Sequence, residues 1–177
     1  AEIGRLEAMI GRLRSLLAER EALLARRDCE LADLGAELKR MTRTDGLSGA
    51  LSRAAALDAL ETERLRAERY GRPLSVLFLD LDRFKSVNDV HGHPVGSDTL
   101  RALARLLSEC VRQVDTLARY GGDEFTILLV DTPHDVAKKV GERIRARIEG
   151  HVFEAGREGS LRLSISIGVA TCPVHGS

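Results

Sequence analysis

The sequence lacks an excess of charge of either sign: Lys and Arg total 27 and Asp and Glu total 27, so the formal net charge is zero. No global field therefore recruits nucleic acid or an anionic membrane, and any phosphate binding must be local. It also lacks a cysteine pair. Cys29, Cys110 and Cys172 are an odd set, widely spaced and without a CxxC motif, which argues against a disulfide framework and a structural zinc site and fits a reducing cytoplasm. No apolar run approaches the roughly 20 residues that a membrane-spanning helix needs, and no secretory signal pattern is present. An initiator methionine is missing too: the chain opens at Ala1 directly in a helical pattern, and the expectation is a longer protein with a sensory domain upstream. What is there, 44% apolar and 31% charged residues in a chain of 177, is the composition of one soluble folded domain plus an extension.

Aliphatic residues recur every seven positions as Ile3, Ile10, Leu17, Leu24, Leu31 and Leu38, and a second seam runs Leu6, Leu13, Arg20, Arg27, Leu34 and Met41. A single amphipathic helix packed on its own domain explains an apolar stripe but not a strict heptad sustained this long. Residues 1–42 are therefore expected to form a parallel dimeric coiled coil, a signalling helix. Arg20 and Arg27 sit in the second seam, where a buried cation is unfavourable unless its head escapes to water, so the middle of the zipper is expected to be loose or able to shift register. The turn- and cap-rich stretch Thr44-Asp45-Gly46-Leu47-Ser48-Gly49 marks the junction with a second unit, residues 43–177.

In that unit the periodicity predicts helices over Arg53–Tyr70, Val95–Val111 and Pro133–Ile148, and strands over Leu74–Leu79, Thr116–Tyr120, Phe125–Val130 and Leu161–Ala170. Gly121-Gly122 signals a tight hairpin, because glycine accepts the positive φ that such turns demand. The order βαββαβ, preceded by a helix, is that of an α+β sandwich with a mostly antiparallel sheet. Two acidic clusters fall at strand ends, Asp80-Leu81-Asp82 and Asp123-Glu124. If the strands are neighbours the acids converge, and converging hard oxygen ligands suit magnesium or manganese, two of which can activate a hydroxyl and neutralise a triphosphate. Gly121 and Gly122 would let a nucleotide approach the backbone, and Lys85, five residues past Asp80, supplies a point charge for phosphate. Scattered acids alone would be read as solvated turns; the strand and hairpin context favours phosphoryl transfer.

Arg119-Tyr120-Gly121-Gly122-Asp123-Glu124-Phe125 resembles the signature of GGDEF domains, the diguanylate cyclases. Asp45-Gly46-Leu47-Ser48-Gly49-Ala50-Leu51-Ser52-Arg53 is similar to the family's opening motif, DxLTGLxNR. Asp80-Leu81-Asp82-Arg83-Phe84-Lys85, Asn88-Asp89 and Gly92-His93 match its next block, so the resemblance covers residues 43 to 172. It implies a fold like the palm of nucleotide cyclases and polymerases, and a homodimer, aligned here by the coiled coil, in which each half-site holds one triphosphate. Carried over residue by residue, it implies Asp80, Asp123, Glu124 and the carbonyl of Leu81 as ligands of two Mg2+ or Mn2+ ions per half-site. Lys85 and nearby amides, with Gly121 and Gly122, would hold phosphates; Leu47 and Phe84 would line the base pocket; Asn88 would bond the base edge. With Asp80, Asp123, Glu124 and Lys85 as the catalytic set, each 3′-hydroxyl would attack the α-phosphate bound to the other subunit, releasing pyrophosphate twice.

The sequence departs from the family pattern after Gly92-His93. The usual text is xxGD, whose Asp pairs with two guanine donors; here Pro94-Val95-Gly96 is followed by Ser97, with Asp98 one place late. A hydroxyl donates or accepts and so discriminates less than a carboxylate, while helix geometry turns Asp98 about 100° away from the pocket. This resembles the hybrid promiscuous (Hypr) subgroup, which makes cyclic AMP-GMP as well as cyclic di-GMP, and implies both GTP and ATP as substrates. Upstream of the hairpin, Arg112-Gln113-Val114-Asp115 matches the family's RxxD product-inhibition site, and Arg143 falls where a second product-binding arginine would be; the arrangement suits the phosphates and Hoogsteen edge of a bound guanine, although Arg-x-x-Asp is also common at solvated helix ends. The chain stops at His175-Gly176-Ser177, before the helix in which such domains carry another Lys and Arg, so that helix is expected to be missing.

His91 and His93 are read as loop residues despite their HxH spacing, and His134, His151 and His175 show no partner pattern. Cys110 is expected as a small core residue on its helix and Cys29 as a flank residue of the coil. Two alternatives to the mixed-base cyclase stay open: a conventional GTP-specific diguanylate cyclase, with Asp98 or a water replacing the lost carboxylate, and a degenerate GGDEF receptor that binds a nucleotide or cyclic dinucleotide. Intact Asp80, Asp123, Glu124 and Lys85 speak against the receptor.

Overall fold

The computed structural model describes residues 2–41, 43–156 and 159–173, in two compact units, Ala1–Met41 and Thr42–Ser177. The first is one helix, α1 (Glu2–Met41). Leu17, Leu24, Leu31 and Leu34 of the expected seams are exposed along it, and so is a further row, Met9, Leu16 and Leu23. Among the described residues its apolar stripe is therefore wider than the two seams, and these side chains are exposed. The side chains of Ile3, Leu6, Ile10, Leu13, Cys29, Leu38 and Met41 lie outside the described residues, as do Val174, His175, Gly176 and Ser177, where the C-terminal expectation falls.

The second unit runs β1 (Leu51–Ser52), α2 (Arg53–Tyr70), β2 (Leu74–Leu81), α3 (Phe84–Glu109), β3 (Thr116–Gly121), β4 (Glu124–Leu129), α4 (His134–Glu149), β5 (Phe153–Glu154), β6 (Ser160–Leu161) and β7 (Ile165–Cys172). Five strands form one sheet in the order β1-β3-β4-β2-β7, and β5 and β6 form a separate hairpin. Only β1 and β3 pair in parallel; the other ladders are antiparallel. The expected βαββαβ core is present as β2-α3-β3-β4-α4-β7.

Alternation sends Leu77, Leu79 and Leu81 of β2 to one face, with Phe125, Ile127 and Leu129 of β4, where they meet Leu103 and Leu107 of α3 and Ile144 and Ile148 of α4. Each such burial stabilises by about 2 kcal/mol. The opposite face carries Phe78 and Tyr120, whose rings meet edge-on at 5.2 Å, and Arg53 of α2 stacks over Tyr120 at 4.3 Å. Helix α2 starts where the Ser52 hydroxyl accepts the Ala55 N–H and stops at Gly71, left-handed at φ 61°. Both bounds match the sequence expectation, because cap chemistry is local.

Four expectations change. Helix α3 begins at Phe84 rather than Val95: Gly92, at φ 81°, kinks it, and Pro94 follows in its second segment. Only Phe84 and Val87 of the first segment are buried, so its apolar period is too weak to read. The expected strand Leu161–Ala170 divides into β6 and β7, with Leu163 buried between them. Of the paired glycines, only Gly122 has positive φ, at 42°; Gly121 closes β3 across a register shift. Cys110 is the C-cap of α3, packed at the edge of the core rather than within it. Among the described residues no helix is long and apolar enough to cross a membrane.

Candidate active site

The antiparallel register of β2 and β4 sets Asp80 directly opposite Glu124, one step beyond the buried pair Leu79 and Phe125. Opposite residues in such a ladder point to the same face, so both acids emerge together at the end of the sheet. Asp123 occupies the turn with Gly122, between β3 and β4. Burial, and then the negative charges of Asp123 and Asp82, push the Asp80 carboxyl above its ordinary range. Asp82 is tied elsewhere: it accepts the Ser164 hydroxyl at 2.6 Å and the Ser166 hydroxyl at 2.7 Å, bonds that hold its carboxyl below the usual range. It staples the start of β7 to the end of β2.

The expected four-ligand metal set assembles only in part. Leu81 is in the core, leaving its carbonyl alone as a donor. Among the described residues no group of three or more His, Cys, Asp and Glu side chains is gathered to hold an ion. Asp80 and Glu124 rise from the ladder, Asp123 opens from the turn, and a Glu124 carboxylate oxygen lies only 3.8 Å from where a Cβ on Gly121 would stand. Even so, the donors fit a hard cation: mutually repelling carboxylates beside a backbone carbonyl match an ion that takes one or two carboxylates and completes its shell with substrate phosphates and water.

Beside the turn opens a cavity of about 370 Å³, walled by Leu47, by Phe84, Lys85 and Asn88 from the first segment of α3, by Ser97 from the second, and by Gly122 and Asp123. The Gly92 kink folds the two segments of α3 around this space, and Arg83, at φ 57°, swings the chain from β2 into it. Asp98 lines a different hollow, of about 760 Å³, with Gly46, Arg105 and His151, and pairs with Arg101. Asp80, Leu81, Gly121 and Glu124 do not line the 370 Å³ cavity; Asp123 alone joins the acidic sheet end to it. His93, Gly96, Leu100 and Arg119 also line it, and none was assigned a role from sequence.

Arg119 had a legible signal in its place just ahead of the hairpin. Its Nε and Nη2 donate to the Gly122 carbonyl at 3.0 and 2.6 Å, and Nη1 donates to the Asp45 carboxylate at 3.1 Å. The Ser48 N–H and hydroxyl each donate to the same Asp45 oxygen at 2.7 Å. Burial pushes the Asp45 carboxyl up, but the bonds from Ser48 and Arg119 outweigh it and leave it below its ordinary range. The guanidinium therefore clamps the Leu47 wall of the cavity to the turn that carries Asp123.

A second cavity, of about 650 Å³, gathers Arg112, Asp115 and Arg143 with Lys139, Arg147 and Glu109. Asp115 also has a structural role, accepting the N–H groups of Arg112 at 2.9 Å and Val130 at 3.3 Å. Arg143 donates to the Cys110 carbonyl at 2.9 Å. His134 meets the Thr171 hydroxyl at 3.2 Å and His151 packs edge-on against Phe153.

The family model described as diguanylate cyclase, GGDEF domain, matches residues 42–177. Diguanylate cyclase DosC of Escherichia coli (strain K12) is 39% identical over 131 residues, 74% of this chain and 28% of that protein. Response regulator PleD of Caulobacter vibrioides is 39% identical over 135 residues, 75% of this chain and 30% of PleD. The chain thus spans less than a third of the length of these curated relatives. The solved coiled coil and GGDEF domain of DgcB from Caulobacter crescentus, in complex with c-di-GMP, aligns with a TM-score of 0.70 at 28% identity, covering 85% of this chain and 82% of that one.

Proposed function

The chain belongs to the GGDEF family of diguanylate cyclases, and on that premise we propose that it condenses two nucleoside triphosphates into a 3′,5′-cyclic dinucleotide, releasing two pyrophosphates. The carrying observation is the placement of Asp80 opposite Glu124 at the sheet end, with Asp123 near enough to help raise the Asp80 carboxyl, beside a cavity that holds Lys85. GGDEF diguanylate cyclases are generally Mg2+-dependent; Asp80, Asp123, Glu124 and the Leu81 carbonyl would hold two Mg2+ or Mn2+ ions, which supply activation of the attacking hydroxyl and neutralisation of the triphosphate.

The chain's own residues bind and orient. Lys85 and the Gly121-Gly122 turn hold phosphates, Leu47 and Phe84 flank the base, Asn88 bonds its edge, and the Asp45–Arg119 clamp fixes the distance between base and phosphate walls. The 3′-oxygen of one nucleotide bonds to the α-phosphorus of the other as the bond from that phosphorus to pyrophosphate breaks. Positioning in line supplies most of the acceleration. Two half-sites must face each other, and the uncovered apolar stripe of α1 supports a coiled-coil homodimer, driven by a sensory domain in the cytoplasm.

Ser97, rather than Asp98, lines the cavity, which supports mixed base use with cyclic AMP-GMP made beside cyclic di-GMP; the GTP-specific cyclase is the second reading. The cationic cavity at Arg112, Asp115 and Arg143 supports product inhibition there. Feeding a full-length dimer Mg2+ with GTP, ATP or an equal mixture, and reading pyrophosphate and products, tests the proposal. Cyclic AMP-GMP from the mixture is the expected result. Cyclic di-GMP alone rejects mixed use, and nucleotide binding without pyrophosphate release rejects the cyclase in favour of a receptor.

A further inference from the structure

We infer that Gly96 is a positioning residue for base recognition: the space its missing side chain leaves is the seat of the Asn88 amide. Gly96 is buried in the second segment of α3, and its backbone is helical, without the positive φ that would itself require glycine. In a helix interior glycine is a poor choice, less favourable than alanine. The reason for it is contact. A Cβ built on Gly96 would stand 2.0 Å from Oδ1 of Asn88, 3.1 Å from its Cγ and 3.3 Å from Cζ of Phe84. The first distance is far inside van der Waals contact whichever end of the amide is oxygen, so a methyl there and the amide exclude each other.

The amide is the group that yields. It is the end of a side chain with rotamers to choose from, whereas Phe84 is buried in the core and Gly96 is fixed by the helix. Asn88 and Gly96 sit on opposite sides of the Gly92 kink, so the seat also ties the two segments of α3 together across the cavity. Ser97 follows directly, and the seat thus sets where Asn88 lies relative to the other base-facing side chain. The inference rests on the reading of Asn88 as a base-edge contact and deepens it: base discrimination depends on a residue that contributes no atom of its own to the base.

Gly96→Ala separates a positioning role from a structural one, because alanine favours the helix while evicting the amide. In the full-length dimer the expected result is an unchanged or higher melting temperature, KM for GTP raised about tenfold, and kcat held within about twofold, as loss of a single hydrogen bond in uniform binding would give. Affinity for a GTP analogue with a methylene between the α and β phosphorus should fall by the same factor, and affinity for inorganic tripolyphosphate should stay. Adding Gly96→Ala to Asn88→Ala should change nothing further. If Asn88→Ala weakens the GTP analogue and Gly96→Ala does not, the seat is refuted while the base-edge reading stands. If Asn88→Ala leaves binding unchanged, that reading fails and takes the inference with it. A lowered melting temperature with equal loss of tripolyphosphate and GTP analogue marks Gly96 as structural and overturns the proposal.

Discussion

Arg119→Ala is expected to cost about 2 kcal/mol of stability and about thirtyfold in kcat/KM, for reasons worked from its two anchors. Toward Asp45 it makes a charge-assisted contact at 3.1 Å between side chains 14% and 26% exposed. That places the pair between a solvated ion pair, contributing at most about 1 kcal/mol, and a buried one, whose breakage costs about 3–5 kcal/mol. Asp45 is not orphaned by the change, since Ser48 still donates twice at 2.7 Å, so the lower half of that interval applies. Toward Gly122 the lost bonds matter less for stability, because Gly122 is exposed and its carbonyl can take water. They matter for the orientation of Asp123, and if the whole clamp energy is used there the loss in rate follows. Urea melts and steady-state kinetics measure both effects, and a double-mutant cycle with Asp45→Asn isolates the pair, with about 1–2 kcal/mol of coupling expected at pH 7. The folded-state pKa of Asp45 lies below its unfolded value. Its contribution is therefore complete above about pH 4 and lost as pH falls through the folded value, so the coupling should fade in acid. Coupling near zero at pH 7, or full activity in Arg119→Ala, would refute the clamp.

Asp80→Asn should abolish turnover yet leave the melting temperature, measured without divalent ions, equal or higher. The pKa of Asp80 is raised in the fold, so its ionised form weighs against folding once pH passes the unfolded value, and the amide removes that penalty; a lower melting temperature contradicts this. Mg2+ with a methylene GTP analogue should stabilise the unsubstituted chain more than the variant. Ser97→Asp should turn the mixed GTP and ATP reaction toward cyclic di-GMP, read by chromatography of products, and an unchanged product ratio would remove Ser97 from base choice. Arg112→Ala should relieve product inhibition at unchanged initial rate, since the bond that forms the turn comes from the Arg112 backbone, not its side chain; retained inhibition rejects the assignment.

What was legible in the sequence was whatever local chemistry writes there. Ser52 and Gly71 bound α2 to the residue because caps act within a turn of their helix, and the β2 and β4 strands were visible as apolar runs. The site's acids were legible because strand ends can be counted. The first segment of α3 was not, since a kink at Gly92 and two buried residues leave too little period to detect. Long-range pairing was hidden as well. Arg119 reaches Asp45 across 74 positions, and Ser164 and Ser166 reach Asp82 across more than 80, so their roles follow from the sheet order and not from spacing. Gly96 shows the same limit from the other side: its clash with Asn88 exists only once the helix has turned back over itself.

The site is built in two halves with different structural owners. The acids belong to the end of the β2–β4 ladder, where register with the core fixes them, and a shift of one residue would carry Leu79 and Phe125 out of the core along with them. The cavity-wall residues Asn88 and Ser97 belong to α3, and the turn residues Gly122 and Asp123 reach the same cavity. Changes at position 97 are therefore expected to alter a cavity wall without disturbing the carboxylates. The Asp45–Arg119 clamp also couples the halves, tying the Leu47 wall to that turn. A disturbance at Thr44–Gly49 is therefore expected to reach both the Leu47 wall of the cavity and, through Arg119, the Asp123 turn.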